Sequence, residues 1–220
     1  MGQSRTIRSA PSPAPATGAI DQLRGAAWPT FLLVVCCGAA MLLLAGPSAA
    51  RLNPYYDAAA RSMATSWHAF IMGAFDPSGA VTIDKPPLAG WLQVAAVAVL
   101  GRTPAALLAP AAVAGALAVP LLAVVVRRAA GTVAGVIAGL ALAVVPVAVL
   151  TARSDTPDAL LALALIGAAG CVLEIRGSRP VIWALAAGAC VGLAFEAKLS
   201  EALVAVPALT LAVEIGRAHV

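Results

Sequence analysis

The sequence predicts an all-α, multi-spanning membrane protein, and three observations lead there. Hydrophobic residues make up 61% of the 220 residues and charged residues 11%, whereas soluble domains carry about 25% charged residues. Mean hydropathy is +0.94, and the apolar residues gather into runs of roughly the 20 residues that a membrane-crossing helix needs. The charges collect between those runs. A soluble core of this length would need far more polar surface to cover it. The net charge of +4 is small and its basic residues are scattered, so no basic stripe exists to track phosphates and nucleic acid is excluded as a partner. Cys36, Cys37, Cys171 and Cys190 all lie in apolar runs with no CxxC or zinc spacing. They read as small hydrophobes packed between helices.

The elements follow in chain order. Residues 1–26 carry Pro11, Pro13 and Pro15 among Ser, Thr and Gly, with Arg5, Arg8 and Arg24, and read as a disordered tail. Trp28 to Ala50 is the first apolar run; it is long for the core of a cleaved signal peptide, so a retained helix is expected. Between Arg51 and Pro87 the hydrophobicity breaks. There Tyr56, Ala60, Met63, Trp67 and Phe70 recur at helical spacing, with Asp57, Arg61 and His68 on the other face. That pattern predicts one helix lying on the membrane surface. Phe75 to Pro87 reads as an extended loop, and Leu88 to Leu100 as a second, short amphipathic helix.

Further spans are expected at Ala105–Val126, Thr132–Val149, Asp158–Leu173 and Val181–Phe195, with an incomplete one at Ala202–Val213. Lipid offers no partner to open backbone groups, so these spans must be helical, and their many Gly and Ala residues allow close helix contacts. Arg127 and Arg128 close one span, and Arg176 and Arg179 separate two others. Placing these clusters and the tail in the cytoplasm satisfies the positive-inside rule. Residues 51–103 then form the first extracytoplasmic loop, and Arg153–Pro157 and the Lys198 turn share its side. Residues 27–213 read as the N-terminal part of a membrane domain. The ending Glu214-Ile215-Gly216-Arg217-Ala218-His219-Val220 resembles the translation of a common sequencing adapter, which predicts a truncated reading frame, inactive by itself where the full-length parent is active, and removes His219 from consideration.

On this topology Asp57, Asp76, Asp84, Lys85, Arg153, Asp155, Asp158 and Lys198 converge on one membrane face, several of them at span ends. An ionisable group at membrane depth costs about 2.5–3.5 kcal/mol on insertion scales, so such groups face a cavity or a partner. The competing account, solvated loop charges, suits Asp76 equally well. The segment Val81-Thr82-Ile83-Asp84-Lys85-Pro86-Pro87-Leu88 is the sharpest motif. Pro86 biases Lys85 towards extended backbone, where adjacent side chains diverge. Asp84 and Lys85 therefore need not neutralise each other, and one could serve as base or metal ligand, the other as a phosphate-binding cation. A rigid turn with two exposed charges is the alternative. Glu196 and Glu201 flank Lys198 and are expected to pair with it. Trp67 and Trp91 read as interfacial anchors, and His68 lacks a second histidine with which to hold a metal.

Several stretches together resemble glycosyltransferase family 39, which includes protein O-mannosyltransferases and lipid A aminoarabinose transferases. They are Tyr55-Tyr56-Asp57-Ala58-Ala59-Ala60-Arg61-Ser62-Met63, Ser66-Trp67-His68, Phe75-Asp76-Pro77, Asp84-Lys85-Pro86-Pro87-Leu88, Ala152-Arg153-Ser154-Asp155-Thr156-Pro157-Asp158-Ala159-Leu160-Leu161 and Gly192-Leu193-Ala194-Phe195-Glu196-Ala197-Lys198. The resemblance runs from about Arg51 to Val213. It implies a GT-C type transmembrane helix bundle with extracytoplasmic juxtamembrane helices, truncated here, and a donor sugar carried on polyprenyl monophosphate. The acceptor would be a protein, a glycolipid or a wall polymer. Transfer with inversion would use Lys85, Arg153 and Lys198 as donor-phosphate partners and Asp84, Asp158 or Asp57 as the carboxylate base. Many members have Glu at the place of Asp84, which admits a divalent metal held there. Asn53 and Pro54 stand where much of the family has an Asp-Glu pair, so no base role passes to Asn53. A fragment of a polytopic transporter is the rival reading; it would put its ionisable residues near the bilayer midplane.

Overall fold

The computed structural model describes residues 52–175 and 177–218. The tail 1–26, the Trp28–Ala50 run and His219 lie outside the described residues, as does Arg176. Ten helices follow one another in the described part: α1 Pro54–Met63, α2 Trp67–Met72, α3 Leu88–Leu100, α4 Pro104–Ala130, α5 Thr132–Val144, α6 Pro146–Ala152, α7 Asp158–Glu174, α8 Pro180–Lys198, α9 Ser200–Leu203 and α10 Val206–Ala218. No strand is present among the described residues, only an isolated antiparallel bridge from Ala74 to Thr82. The fold class is the all-α membrane class that composition predicts.

Local chemistry sets the helix ends. At α1 the Asn53 side chain accepts the Tyr55 N–H, Pro54 occupies the first turn, and Asp57 and Arg61 sit at the dipole-compatible ends. The Ser66 side chain accepts from the Ala69 N–H to start α2, and Gly73, at φ 60°, stops it. The Thr103 side chain caps α4 and Pro104 opens it, while Arg127 and Arg128 lie in its last turn. Pro146 opens α6 and Pro180 opens α8.

α4 and α8 are long and apolar enough to cross a membrane. At about 1.5 Å per residue α4 is about 40 Å long, so its apolar part spans a hydrocarbon core of about 30 Å and its arginines emerge beyond it. α5 and α6 together meet the same length and composition only as a bent pair, with an angle of 61° between them. The apolar run from Thr132 to Val149 is therefore not one straight helix: Val145 is extended and Pro146 restarts the chain, as a missing N–H donor and a clashing ring require. Three other expectations are corrected in the same way. The surface helix is two helices, α1 and α2, broken at residues 64–66 where Ser66 opens a new cap. α3 is apolar nearly all round and not amphipathic. The last run breaks between Leu203 and Val206 into α9 and α10.

α4 packs on α5 and α7, and α7 on α8. Small residues make these contacts close. A Cβ on Gly135 would stand 2.6 Å from the Ala123 carbonyl oxygen, and one on Gly139 would stand 2.9 Å from Ala123 Cβ. This is small-residue packing at four-residue spacing, which lets α5 lie against α4. Gly135→Leu is expected to lower stability by about 1–3 kcal/mol through overpacking, read as a fall in melting temperature in nanodiscs. Gly188→Leu, where a Cβ meets open space, serves as the neutral control. A small core of Ala111, Ala114, Ala152 and Ala159, with Leu160 and Leu163 packed on it, joins α4, α6 and α7. Many large apolar side chains on α4–α10 stay exposed, among them Val113, Leu117, Ile137, Val147, Leu185 and Leu211, as lipid-facing positions do.

The helix directions give the bundle two distinct ends. Arg128 of α4 pairs with Glu174 of α7 at one end. Asp158, at the start of α7, pairs with Lys198, at the end of α8, at the other.

Candidate active site

The end that holds Asp158 also gathers the start of α1, the DKPP turn, α3 and the α6–α7 loop. Asp155 is its hub. Its side chain is only 2% exposed, and its two oxygens accept the Asn53 N–H at 2.9 and 3.1 Å. Gln93 of α3, also buried, donates its side-chain amide to the Asp155 carbonyl at 2.9 Å. Residues 102 positions apart are thus tied together, which fixes where α1 begins. Burial raises the Asp155 carboxyl pKa, with a further push from the Asp57 charge, against the pull of the Asn53 N–H. Asn53 is thereby a cap and an anchor.

The DKPP turn docks on α1 through an aromatic contact. The Tyr55 hydroxyl accepts the Asp84 N–H at 2.8 Å, and the Tyr55 ring stacks on Phe75 at 4.7 Å. Beside it, burial raises the Tyr56 phenol pKa, followed by the nearby Asp84, Tyr55, Asp158 and Asp155. Tyr56 of α1 therefore lies near carboxylates from two other chain segments, the DKPP turn and the α6–α7 loop with the start of α7.

Each predicted site residue has a definite place. Lys85 Nζ lies 3.1 Å from Asp84 Oδ2: although adjacent side chains start apart on extended backbone, the long lysine stem folds back to its neighbour. Lys198 sits between Asp158 at 2.7 Å and Glu201 at 2.6 Å. Glu201 returns to Lys198 because Leu199 turns the chain at φ 49° and ψ −128°, the one positive-φ residue other than glycine among the described residues. A leucine there costs about 1–3 kcal/mol of backbone strain. Asp57 lies on α1 in a pair with Arg61 at 2.6 Å. Arg153 follows α6 directly, half-buried at the mouth of the α6–α7 loop. Gln93 and the two tyrosines were not singled out from sequence as site residues, and Asp155 was placed on the site's face without a role.

Asp76 plays a local part. Its carboxylate accepts from the Val81 N–H at 2.7 Å, the Ser78 and Ala80 N–H groups and the Ser78 hydroxyl. These bonds lower its pKa from 3.8 to about 2, the Ser78 hydroxyl first and the Val81 N–H next. A lowered folded-state pKa gives stability that is present above the unfolded value and is lost as pH falls towards the folded one. Amide-exchange protection of residues 76–82 is therefore expected to weaken between pH 4 and pH 2, and Asp76→Asn should remove that pH dependence.

A metal at Asp84 meets a poor donor set. No group of three His, Cys, Asp or Glu side chains comes together among the described residues, and the Asp84 carboxylate is already engaged by Lys85. Asp84 would bring one carboxylate to such a cation, and phosphate and water would have to complete its shell; no step below is routed through a metal.

"Putative mannosyltransferase YycA" of Bacillus subtilis (strain 168) is 38% identical over 159 residues, covering 72% of this chain and 23% of its own length. "Putative mannosyltransferase YkcB" of the same organism is 35% identical over 160 residues, 73% of this chain and 22% of its own length. The match thus spans less than a quarter of either relative. No solved structure matches. The family model for dolichyl-phosphate-mannose-protein mannosyltransferases matches residues 84–218, from the DKPP turn through α10. This chain belongs to the dolichyl-phosphate-mannose-protein mannosyltransferase family.

Proposed function

We propose that this chain supplies the donor end of a membrane glycosyltransferase that moves a sugar from polyprenyl phosphate to an acceptor hydroxyl or amine. The observation that carries the reading is the gathering of Asp84, Lys85, Asp158 and Lys198 at one end of an apolar helix bundle, within the electrostatic reach of Tyr56 or paired to groups that are. In this reading the acceptor oxygen attacks the anomeric carbon from the face opposite the phosphate. The carbon–oxygen bond to the lipid phosphate breaks, its electron pair stays on the phosphate, and the anomeric configuration inverts. Lys85 stabilises the growing phosphate charge, helped by Arg153 and by Lys198, because a cation fixed where charge develops lowers the barrier. Asp84 takes the acceptor proton. It is more exposed than Asp158, 58% against 32% for the side chain, and its lysine contact is longer, 3.1 Å to Lys85 against 2.7 Å from Asp158 to Lys198. Asp57, paired with Arg61 and close to Asp155, shapes α1 in this scheme.

The proposed setting is the plasma membrane with the N-terminus cytoplasmic and the site extracytoplasmic, which keeps the Arg127, Arg128 and Arg179 end inside. A transporter is disfavoured because the charged groups stand at helix ends. Donor class is tested with membranes that contain this chain as part of its full-length protein, supplied with labelled mannose either on polyprenyl phosphate or on a nucleotide. The reading expects label to leave the lipid carrier only; transfer from the nucleotide sugar with the lipid pool depleted would refute it.

A further inference from the structure

A cleft of about 540 Å³ opens on the outer side of α1, away from the Asp155 anchor, lined by Arg61, Ser62, Thr65, Phe75 and Arg102 among others. It holds two guanidinium groups. Arg102, exposed in the α3–α4 turn, has no carboxylate partner among the described residues. Arg61 gives Nε and Nη2 to Asp57 and keeps further N–H donors, since a guanidinium carries five. Two cationic forks around one opening fit a phosphate group.

The neighbouring helix sets the depth of the cleft. α2 begins two residues after Thr65 and exposes Trp67 (74%), Ile71 (43%) and Met72 (53%). Trp67, Phe70 and Trp91 form a ladder with ring centroids 5.5 and 6.0 Å apart, and Trp91 donates its indole N–H to the Phe70 carbonyl at 2.7 Å. Such an apolar, aromatic edge sits at the membrane–water interface, which brings Arg61 and Arg102 to headgroup level. We propose that this cleft binds the phosphate of an anionic phospholipid headgroup, at a place separate from the Asp84–Lys85 turn and joined to it through the Tyr55–Phe75 stack.

The test uses the 220-residue chain in nanodiscs of equal phosphatidylglycerol and phosphatidylcholine, with retained lipid measured by native mass spectrometry. Wild type is expected to retain phosphatidylglycerol about fivefold over phosphatidylcholine, the effect of about one arginine at an anionic surface. Arg102→Gln should abolish the preference, Arg61→Gln should weaken it, and Arg102→Lys should restore part of it, all with an unchanged melting temperature in pure phosphatidylcholine. Free glycerol phosphate should not compete. Equal retention by wild type and Arg102→Gln would overturn the proposal, and so would absence of any preference in wild type. An equal loss in Lys85→Ala would move the headgroup to the DKPP turn, and full competition by glycerol phosphate would make the site one for a free phosphate; either result overturns it too.

Discussion

Lys85→Ala is expected to reduce turnover from a polyprenyl-phosphate sugar by about 10²–10³-fold, the cost of removing one fixed electrostatic stabiliser of a developing oxyanion. Asp84→Asn is expected to cost about 10²–10⁴-fold, the contribution of a positioned general base. Both losses should appear in kcat, since the charge on the phosphate and the proton transfer develop only in the transition state. Neither variant should unfold the protein. The side chains are 28% and 58% exposed and their mutual pair at 3.1 Å lies on the surface, where such pairs contribute about 0–1 kcal/mol. The assay is turnover of the variants in the full-length protein, in membranes, alongside a melting curve. A rigid turn with two solvated charges would instead give near-normal turnover in both variants. Lys85→Arg separates the roles further: it keeps the charge and should retain a measurable fraction of activity.

The second large effect is on stability. Asp155→Ala should destabilise the protein by about 1–3 kcal/mol, because it leaves the Asn53 N–H without its acceptor in a half-buried place. Asp155→Asn keeps one acceptor oxygen and should cost less. The pH dependence adds a check. Burial raises the folded-state pKa of Asp155 above 3.8, so its favourable contribution is complete below that value and is lost as pH rises through the folded pKa. Relative to Asp155→Asn, wild type should therefore lose stability as pH is raised from about 4 towards neutral. Melting curves of the three proteins in nanodiscs at several pH values decide this. Equal stability of all three would remove Asp155 as the anchor of α1.

The membrane class was legible because it depends on length and polarity alone. α4 and α8 sit almost where the apolar runs of Ala105–Val126 and Val181–Phe195 put them. What failed was continuity. The spacing of Tyr56, Ala60, Met63, Trp67 and Phe70 continues across Ser66, so periodicity joins α1 and α2, whereas the capping side chain of Ser66 divides them. Its signal was present as a serine before an apolar stretch that ends in Gly73, a helix start and stop. Pro146 likewise announced the 61° bend between α5 and α6. The candidate site was legible as a set of charges on one face and illegible in its pairing. Asp155 and Asp158 look alike in sequence, yet one turns inward to a backbone N–H 102 residues earlier and the other meets Lys198. No local pattern carries that distinction, because it arises only when α1, α3 and the α6–α7 loop pack together. The Asp84–Lys85 contact was missed for a different reason: backbone direction limits where side chains start, and a lysine stem is long enough to return.

In the proposed reading the charged end of the bundle faces out of the cytoplasm, where a lipid-linked leaving group can be neutralised. Single cysteines at Thr82 and at Arg179, in a background with the four native cysteines replaced by serine, test this with a membrane-impermeant maleimide on intact cells. Thr82→Cys is expected to be labelled before permeabilisation and Arg179→Cys only after it. The reverse pattern would place the DKPP turn in the cytoplasm and rule out an extracytoplasmic site.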